Sequence, residues 1–369
     1  MKRYHFYILY GANNYNAISA EIYKRAEGTD DLGLPTYLHL INCSPDYVAF
    51  VKYQLFNHNK NNKISLVIQS ENEFLESIVN MDIENDIIIG NSYMGLNYWK
   101  WIKIAEKILS IHPLIIVEDY PLVFDRYQNI DFKNKIVINK LLIWLSYLIK
   151  PRVTSVYRQS ACLIANSEVT RDFIKSKFHI SPHFISYPPI HEEYFHFVTN
   201  NRDSILLHYS KNIDNNLIEG IAKFAKLMKF KIIILNGPRI PELKNLAPKY
   251  LNKYSFDELK VAYSKSVFSV ITEKYGTFES PPIESIASGV PVIGAKVPSI
   301  EVLKNILSNY IEKAFLELNN NDFDCNKIRD WLHSITDEDR LYMSSIVTHY
   351  FSQVNIQRMF INEIEKCFK

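Results

Sequence analysis

A chain of 369 residues is too long for one ordinary hydrophobic core, so two domains of roughly 200 residues or fewer are expected. Its 47% hydrophobic and 22% charged residues exclude a disordered chain, and a net charge of +2 gives no support to a nucleic-acid binder that works by neutralising phosphates. Cys43, Cys162, Cys325 and Cys367 lie far apart with no Cys-x-x-Cys pair, which suggests neither a zinc site nor a disulfide framework and fits a reducing cytosol.

The basic and apolar run Met1 to Tyr10 is followed by Asn13, Asn14 and Asn16 without a small-residue cleavage site, and reads as a first β-strand. Further short apolar runs follow at Tyr37–Cys43, Ile64–Gln69, Asp86–Gly90, Leu114–Glu118, Ala161–Asn166 and His183–Tyr187, separated by longer segments of helical period. Strands alternating with helices imply βαβ units and a parallel sheet. Ser44-Pro45-Asp46 opens a helix through about Asn57, and Ser167 caps the helix Glu168–Phe178. The most apolar segment, Ile136 to Ile149, is interrupted by Asn139 and Lys140 and falls short of the ~20 residues of a bilayer span. Within Lys133–Arg152, Trp144 and aliphatic positions recur at helical spacing among lysines, the pattern of a core-facing stripe or of a helix on an anionic membrane surface.

Tyr187-Pro188-Pro189-Ile190 bars regular structure and Thr199-Asn200-Asn201 is a loop cluster, so residues 189–201 read as a linker between domains 1–188 and 202–352. A C-terminal helix at about 353–369 is expected to pack back on the first domain. After the linker the alternation restarts with strand Ser204–Ser210, helix Asn215–Met228, strand Lys231–Asn236 and turn Gly237-Pro238-Arg239. Ser255-Phe256-Asp257-Glu258 is a capping box opening a helix to about Lys265, and Val267–Thr272 is the next strand. From Ser299 helices dominate, one of them beginning near Asp337 and ending in Phe360-Ile361-Asn362-Glu363-Ile364. In His191-Glu192-Glu193-Tyr194-Phe195-His196 the histidines are five apart rather than four and Pro188-Pro189 precedes them, so linker is a better reading than a zinc-protease helix.

The most sharply punctuated stretch is Thr277 to Gly294: a loop, a helix opened by Pro281 and Pro282, a stop at Gly289, then a buried strand. Such grammar is ordinary in α/β proteins. A helix N-terminus is also a place to hold an anion such as a diphosphate, with Glu284 within reach of sugar hydroxyls.

In order and register, this stretch resembles the donor-site segment of retaining family 4 glycosyltransferases of the GT-B fold. Phe278, Pro281, Pro282, Glu284, Ala287, Gly289, Pro291 and Val292 match that segment. Pro298-Ser299-Ile300-Glu301-Val302 resembles the element downstream of it. Cys162 to Glu168 with Arg171 to Ile174, Ile185-Ser186-Tyr187-Pro188-Pro189 and Tyr254 to Leu259 extend the likeness from about Ala161 to Leu303. The resemblance implies two Rossmann-like, doubly wound α/β domains facing each other across a cleft, the second holding the donor. It implies transfer of a sugar, with retention, from a nucleotide-sugar (a UDP-, GDP- or ADP-sugar) to a hydroxyl on a glycan or lipid-linked acceptor. No cofactor, essential metal or nucleic acid is implied, and the location is cytoplasmic, peripheral membrane contact included. The alternative is a catalytically inactive GT-B protein that binds a nucleotide or sugar, or scaffolds a partner glycosyltransferase.

By this resemblance Glu284 matches the glutamate on the ribose hydroxyls. The family's other glutamate, eight residues earlier, is replaced by Gly276, and Glu279 either takes over contact with the donor sugar or that contact is lost. Phe278, Ser280 and Pro281 complete the segment. After the first strand of the second domain, Ser210 and Lys211 stand where the family keeps a basic pair for the diphosphate, and Arg239 is a further cation. In the first domain, Gly11 and Asn13 occupy the place of the glycine-rich loop, and Asp119 is the acceptor or donor contact. A Rossmann dehydrogenase is disfavoured, because no Gly-x-Gly-x-x-Gly follows the first strand.

Overall fold

The structure is a computed structural model that describes residues 1–10, 17–58, 63–91, 98–118, 136–193, 195–199, 201–209, 215–252, 254–272, 278–318 and 323–368, with the backbone alone at 17–20, 54, 56–58, 98 and 136–147. Two compact units emerge, one of Met1–Pro189 with Gln353–Lys369, the other of Ile190–Ser352.

In the first unit seven parallel strands, β1 (Arg3–Leu9), β2 (Thr36–Ile41), β3 (Ser65–Gln69), β4 (Asp86–Asn91), β5 (Leu114–Glu118), β6 (Cys162–Ala165) and β7 (Phe184–Ile185), lie in the order β3-β2-β1-β4-β5-β6-β7. Side chains alternate across a strand, so both faces of each central strand must be apolar to be covered by helices. Tyr7, Leu9, Ile88 and Ile116 therefore pack on one face against Phe74, Trp101, Ile104, Val153 and Phe173. Phe6, Ile8, Leu38, Ile89 and Val117 pack on the other against Ile22, Ala26, Val51, Phe360 and Ile364. The last two belong to helix Gln353–Cys367, which lies along helix Ala17–Asp31: Gln353 Nε2 donates to Lys24 O at 2.7 Å and Gln357 Nε2 to Thr29 Oγ1 at 2.8 Å. Gly28 makes the close approach possible, since a Cβ there would stand 3.0 Å from both glutamines.

The second unit repeats the plan with six parallel strands, β8 (Ser204–His208), β9 (Lys231–Leu235), β10 (Lys249–Leu251), β11 (Ser266–Ile271), β12 (Val292–Gly294) and β13 (Phe315–Glu317), in the order β10-β9-β8-β11-β12-β13. Helix Asn215–Met228 has the predicted bounds, and both Ser255 and Glu258 make the reciprocal capping bonds that open helix Phe256–Ser264.

Three expectations change. Residues from Ile190 onward are not a free linker: Ile190 and Phe195 are buried, Ile190 N–H donates to Phe351 O at 3.0 Å and Phe197 N–H to Ser344 Oγ at 3.0 Å. The long C-terminal helix is two, Asp337–Phe351 and Gln353–Cys367, broken at Ser352 by an extended backbone (φ −54°, ψ 143°) where the chain passes from one unit to the other. Cys162 and Cys367, 205 residues apart, are disulfide-bonded with Cα atoms 5.9 Å apart, against the expectation of no disulfide framework. Sequence spacing carries no signal for a pair made by docking the C-terminal helix beside β6. Among the described residues no helix is long and apolar enough to cross a membrane, and no group of three or more His, Cys, Asp or Glu is placed to hold a metal ion.

A buried polar chain crosses the first sheet. Arg3 Nη2 donates to Asp86 Oδ2 at 2.7 Å, His5 Nε2 lies 3.0 Å from Asp86 Oδ1, and His5 Nδ1 lies 3.1 Å from His39 Nε2. Burial alone would raise Asp86, yet the bonds from Arg3, the Asp82 amide and His5 hold it below its ordinary value. Burial lowers both imidazoles, His39 to about 3, with His5 adding to the effect. A histidine kept neutral in the fold but free to protonate when unfolded stabilises fully above the unfolded pKa of about 6.5 and loses that contribution as pH falls toward 3. Urea unfolding at pH 6.5 and 5.5 is therefore expected to show a His39→Gln variant losing about 1 kcal/mol less over that interval than the parent chain; equal losses would remove His39 as the cause.

Candidate functional site

In the second sheet β8 and β11 are neighbours from which the chain winds in opposite directions. At such a switch point the loops after the two strands part and leave a crevice at their carboxyl ends, where doubly wound sheets take ligands. His208 ends β8, and Thr272, just beyond β11, ties the two strand ends together by donating from Oγ1 to His208 O at 2.9 Å.

Helix Ser280–Ala287 connects β11 to β12, which are parallel neighbours, so its N-terminus stands at this same carboxyl edge. Glu279 occupies the N-cap position with extended backbone (φ −84°, ψ 123°), and its side chain does not cap the helix. Pro281 and Pro282 fill the first turn and fix its backbone. They also lack N–H groups, so of the donors a helix start normally offers, this one keeps Ser280 N–H and Glu279 N–H, with Ser280 Oγ beside them. Attraction for an anion then rests on the helix dipole and on few direct donors.

Glu284 lies one turn further in and is 8% exposed. Tyr263 Oη stands 3.4 Å from its Oε2 and 3.3 Å from His208 Nε2. Tyr263 rises well above its ordinary pKa, first through burial and then through the Glu284 charge; Tyr254, which accepts a bond from Asn236 Nδ2 at 3.1 Å, rises for the same two reasons. The His208 imidazole packs beside the Tyr263 ring and is pushed down to about 3 by burial, so it is neutral near pH 7. An acceptor carboxylate, two protonated phenols and a neutral imidazole thus gather around the strand ends. A carboxylate in that setting is suited to accept bonds from ligand hydroxyls.

The C-terminal end of the same helix is held by three side chains. Ser344 Oγ donates to Ala287 O, Arg202 Nη2 to Ser288 O at 3.1 Å, and Arg340 Nη1 to Gly289 O at 2.8 Å. Burial and the neighbouring Arg340 charge pull Arg202 down to about 10. The negative end of a helix dipole is one place where two such guanidinium groups can be tolerated together. Gly289 turns the chain at φ +69°, and a Cβ there would lie 2.4 Å from the Phe197 ring.

Of the residues expected at the site, Glu284, Glu279, Ser280 and Pro281 are brought to one helix end. Phe278 packs its ring on Phe351 at 6.0 Å. Arg239 is exposed on the turn after β9 and takes part in none of the bonds joining Glu284, Tyr263 and His208. Gly11, Asn13, Asp119, Ser210 and Lys211, with Gly276, lie outside the described residues. The residues just before them are described: β1 ends at Leu9, β8 at His208, and β5 at the buried Glu118, which accepts from Tyr157 Oη at 2.6 Å. Tyr263, His208, Arg202 and Arg340 escape sequence reasoning. Of these, only His208 falls near the carboxyl end of a predicted strand, Ser204–Ser210, two residues short of its expected last residue. A cavity of about 460 Å³ beside helix Asp337–Phe351, lined in part by His196, Ser344 and Thr348, is separate from this cluster; Ser344 and Thr348 donate their hydroxyls to backbone carbonyls.

Arg340→Met removes bonds to Val267 O and Gly289 O and leaves buried carbonyls unmet. A loss of about 2–4 kcal/mol of stability is expected by urea unfolding. A change below about 0.5 kcal/mol, the range of an ordinary surface substitution, would show that the helix end is held without it.

No family model matches the chain. Over 177 residues it is 29% identical to the O-antigen chain mannosyltransferase RfbU of Salmonella typhimurium, a match that spans 45% of each chain, under half the length of that relative. Among solved structures it is similar over its whole length to a glycosyltransferase from Rickettsia africae (TM-score 0.66, 14% identity, 99% of that chain). It is similar likewise to the sucrose-phosphate synthase of Thermosynechococcus elongatus (0.66, 12%, 99%). The pneumococcal O-GlcNAc transferase GtfA, solved with UDP and GlcNAc, gives 0.65 at 11% identity and 99% coverage. With its two parallel α/β sheets, each covered by helices, the chain has the GT-B fold.

Proposed function

We propose that the chain is a retaining glycosyltransferase that moves a hexosyl group from a nucleoside-diphosphate sugar to a hydroxyl of a glycan or lipid-linked acceptor. The observation that carries the reading is the placement of Glu284: a buried carboxylate one turn into a helix that starts at the switch point of the sheet, with Tyr263 Oη 3.4 Å away. Glu284 would accept bonds from the ribose hydroxyls. The helix dipole and Ser280 would face the diphosphate, supported by Lys211 and Arg239. Glu279 at the N-cap would face the donor sugar, and Asp119 would be an acceptor or donor contact. The bond from the anomeric carbon to the diphosphate breaks and one to the acceptor oxygen forms on the same face. The acceptor proton passes to the departing phosphate oxygen. Charge on the leaving diphosphate is met by dipole and cations, without a required metal. The 29% identity over 177 residues to an O-antigen chain mannosyltransferase favours a glycan-building role.

Calorimetry against UDP, GDP and ADP is expected to identify one nucleoside diphosphate that binds, and Glu284→Gln to weaken it by about 10–100-fold, the worth of one or two charge-assisted hydrogen bonds. Equal affinity in the variant would remove Glu284 from the site, and binding of none of the three would overturn the reading. A nucleotide that binds while no sugar is ever transferred or hydrolysed would leave the non-catalytic alternative.

A further inference from the structure

We infer that the cavity of about 460 Å³ beside helix Asp337–Phe351 is a carbohydrate-binding site, apart from the cluster around Glu284, that holds a small neutral saccharide by the hydrogens of its hydroxyls. Its volume falls in the range of about 300–1,000 Å³ typical of small-molecule sites. Leu341 and Ser345, which line it, are exposed, so a ligand can enter from solvent.

The hydrogen bonds already made by the lining residues select the ligand. Ser344 Oγ accepts from Phe197 N–H at 3.0 Å and donates to Ala287 O, so it is used in both directions. Ser345 Oγ donates to Tyr342 O at 2.9 Å and Thr348 Oγ1 to Phe195 O at 3.4 Å. Each of these hydroxyls spends its one hydrogen on a carbonyl and keeps lone pairs. His196 Nδ1 lies 3.1 Å from Glu192 O; a carbonyl only accepts, so this nitrogen carries the hydrogen and Nε2 of the neutral ring is an acceptor. The Glu192 side chain adds a carboxylate. These four groups accept hydrogens, and the ligand has to bring them. Phe197 and Leu341 supply apolar wall for the C–H face of a sugar ring.

Charge argues against the alternatives. Among the described residues no lysine or arginine lines the cavity, so a phosphate would meet Glu192 without a countercharge. A cation is disfavoured by Arg202, whose guanidinium already lies 5.5 Å from the centre of the Phe197 ring. Among the described residues no group of three or more His, Cys, Asp or Glu is placed to hold a metal ion. The wall is firmly set: Ser344 holds the Phe197 amide, and the Phe197 ring fits against Gly289, where a Cβ would lie 2.4 Å away. None of the four acceptors takes part in the bonds around Glu284, so the inference stands apart from the proposed activity.

The test is saturation-transfer NMR of the full chain with methyl α-mannopyranoside, methyl α-glucopyranoside and maltose, each titrated for affinity. At least one is expected to bind, to keep its affinity in Glu284→Gln, and to resist competition by inorganic phosphate and by tetramethylammonium. The double variant Ser345→Ala with Thr348→Val removes two acceptors and should weaken binding about tenfold. Ser345→Trp, a bulky side chain at an exposed position, should fill the cavity and abolish binding while circular dichroism stays that of the parent chain. Binding of none of the three sugars, affinity unchanged in both cavity variants, loss of binding in Glu284→Gln, or displacement by either ion would each overturn the inference.

Discussion

The site depends on one helix being clamped at both ends. Helix Ser280–Ala287 is only eight residues long, too short to be stable alone, and must take its position from its neighbours. Its start is fixed by two prolines whose φ is set by their rings, and its end by Ser344, Arg202 and Arg340 reaching three successive carbonyls. In between, Ser285 Oγ bonds both Ser269 Oγ of β11 at 2.7 Å and Val290 O at 2.8 Å, which sets the helix against the strand it follows. Glu284 inherits its place from that arrangement.

The two units show that a buried polar cluster says little until its place on the sheet is known. In the first unit Arg3 and Asp86 open their strands and His5 and His39 sit within theirs, so the Arg3–Asp86–His5–His39 chain runs through and toward the amino side of the sheet. There the polar groups are paired with one another and with Gln69 Nε2, 3.1 Å from His39 Nδ1, and the Asp82 amide, which donates to Asp86 Oδ2 at 2.8 Å. In the second unit Glu284, Tyr263 and His208 gather at carboxyl ends, beside a switch point, with two contacts of 3.3 and 3.4 Å that are long for hydrogen bonds. Burial depresses an imidazole in both. Topology, rather than the perturbed histidine, separates a structural network from a candidate ligand site.

Local chemistry was legible in the sequence because it acts over three or four residues. The Ser255–Glu258 capping box, the Ser167 cap and the helix Asn215–Met228 follow from such rules. The three-residue strands Lys249–Leu251 and Phe315–Glu317 were not, since a run so short has no period to read. The break at Ser352 interrupts what reads as continuous helical period, and it is imposed by the passage between units. Cys162 with Cys367, Arg340 with Gly289 and Tyr263 with Glu284 are 205, 51 and 21 residues apart, and pairings at that range are set by topology alone.

The double proline carries the last step. Read as punctuation, it marks a helix start and therefore an anion site; read atom by atom, it removes two of the donors that make such a start attractive to anions. The rigidity that fixes Glu284 is thus obtained at the expense of direct hydrogen bonds to phosphate. A diphosphate facing this helix would need its charge met from the turns after neighbouring strands. In sequence, Lys211 follows β8 and Arg239 follows β9. On the proposed reading the division of labour would follow from the missing amides: carboxylate and phenols for the hydroxyl-bearing part of the ligand, cations from other strands for its charge.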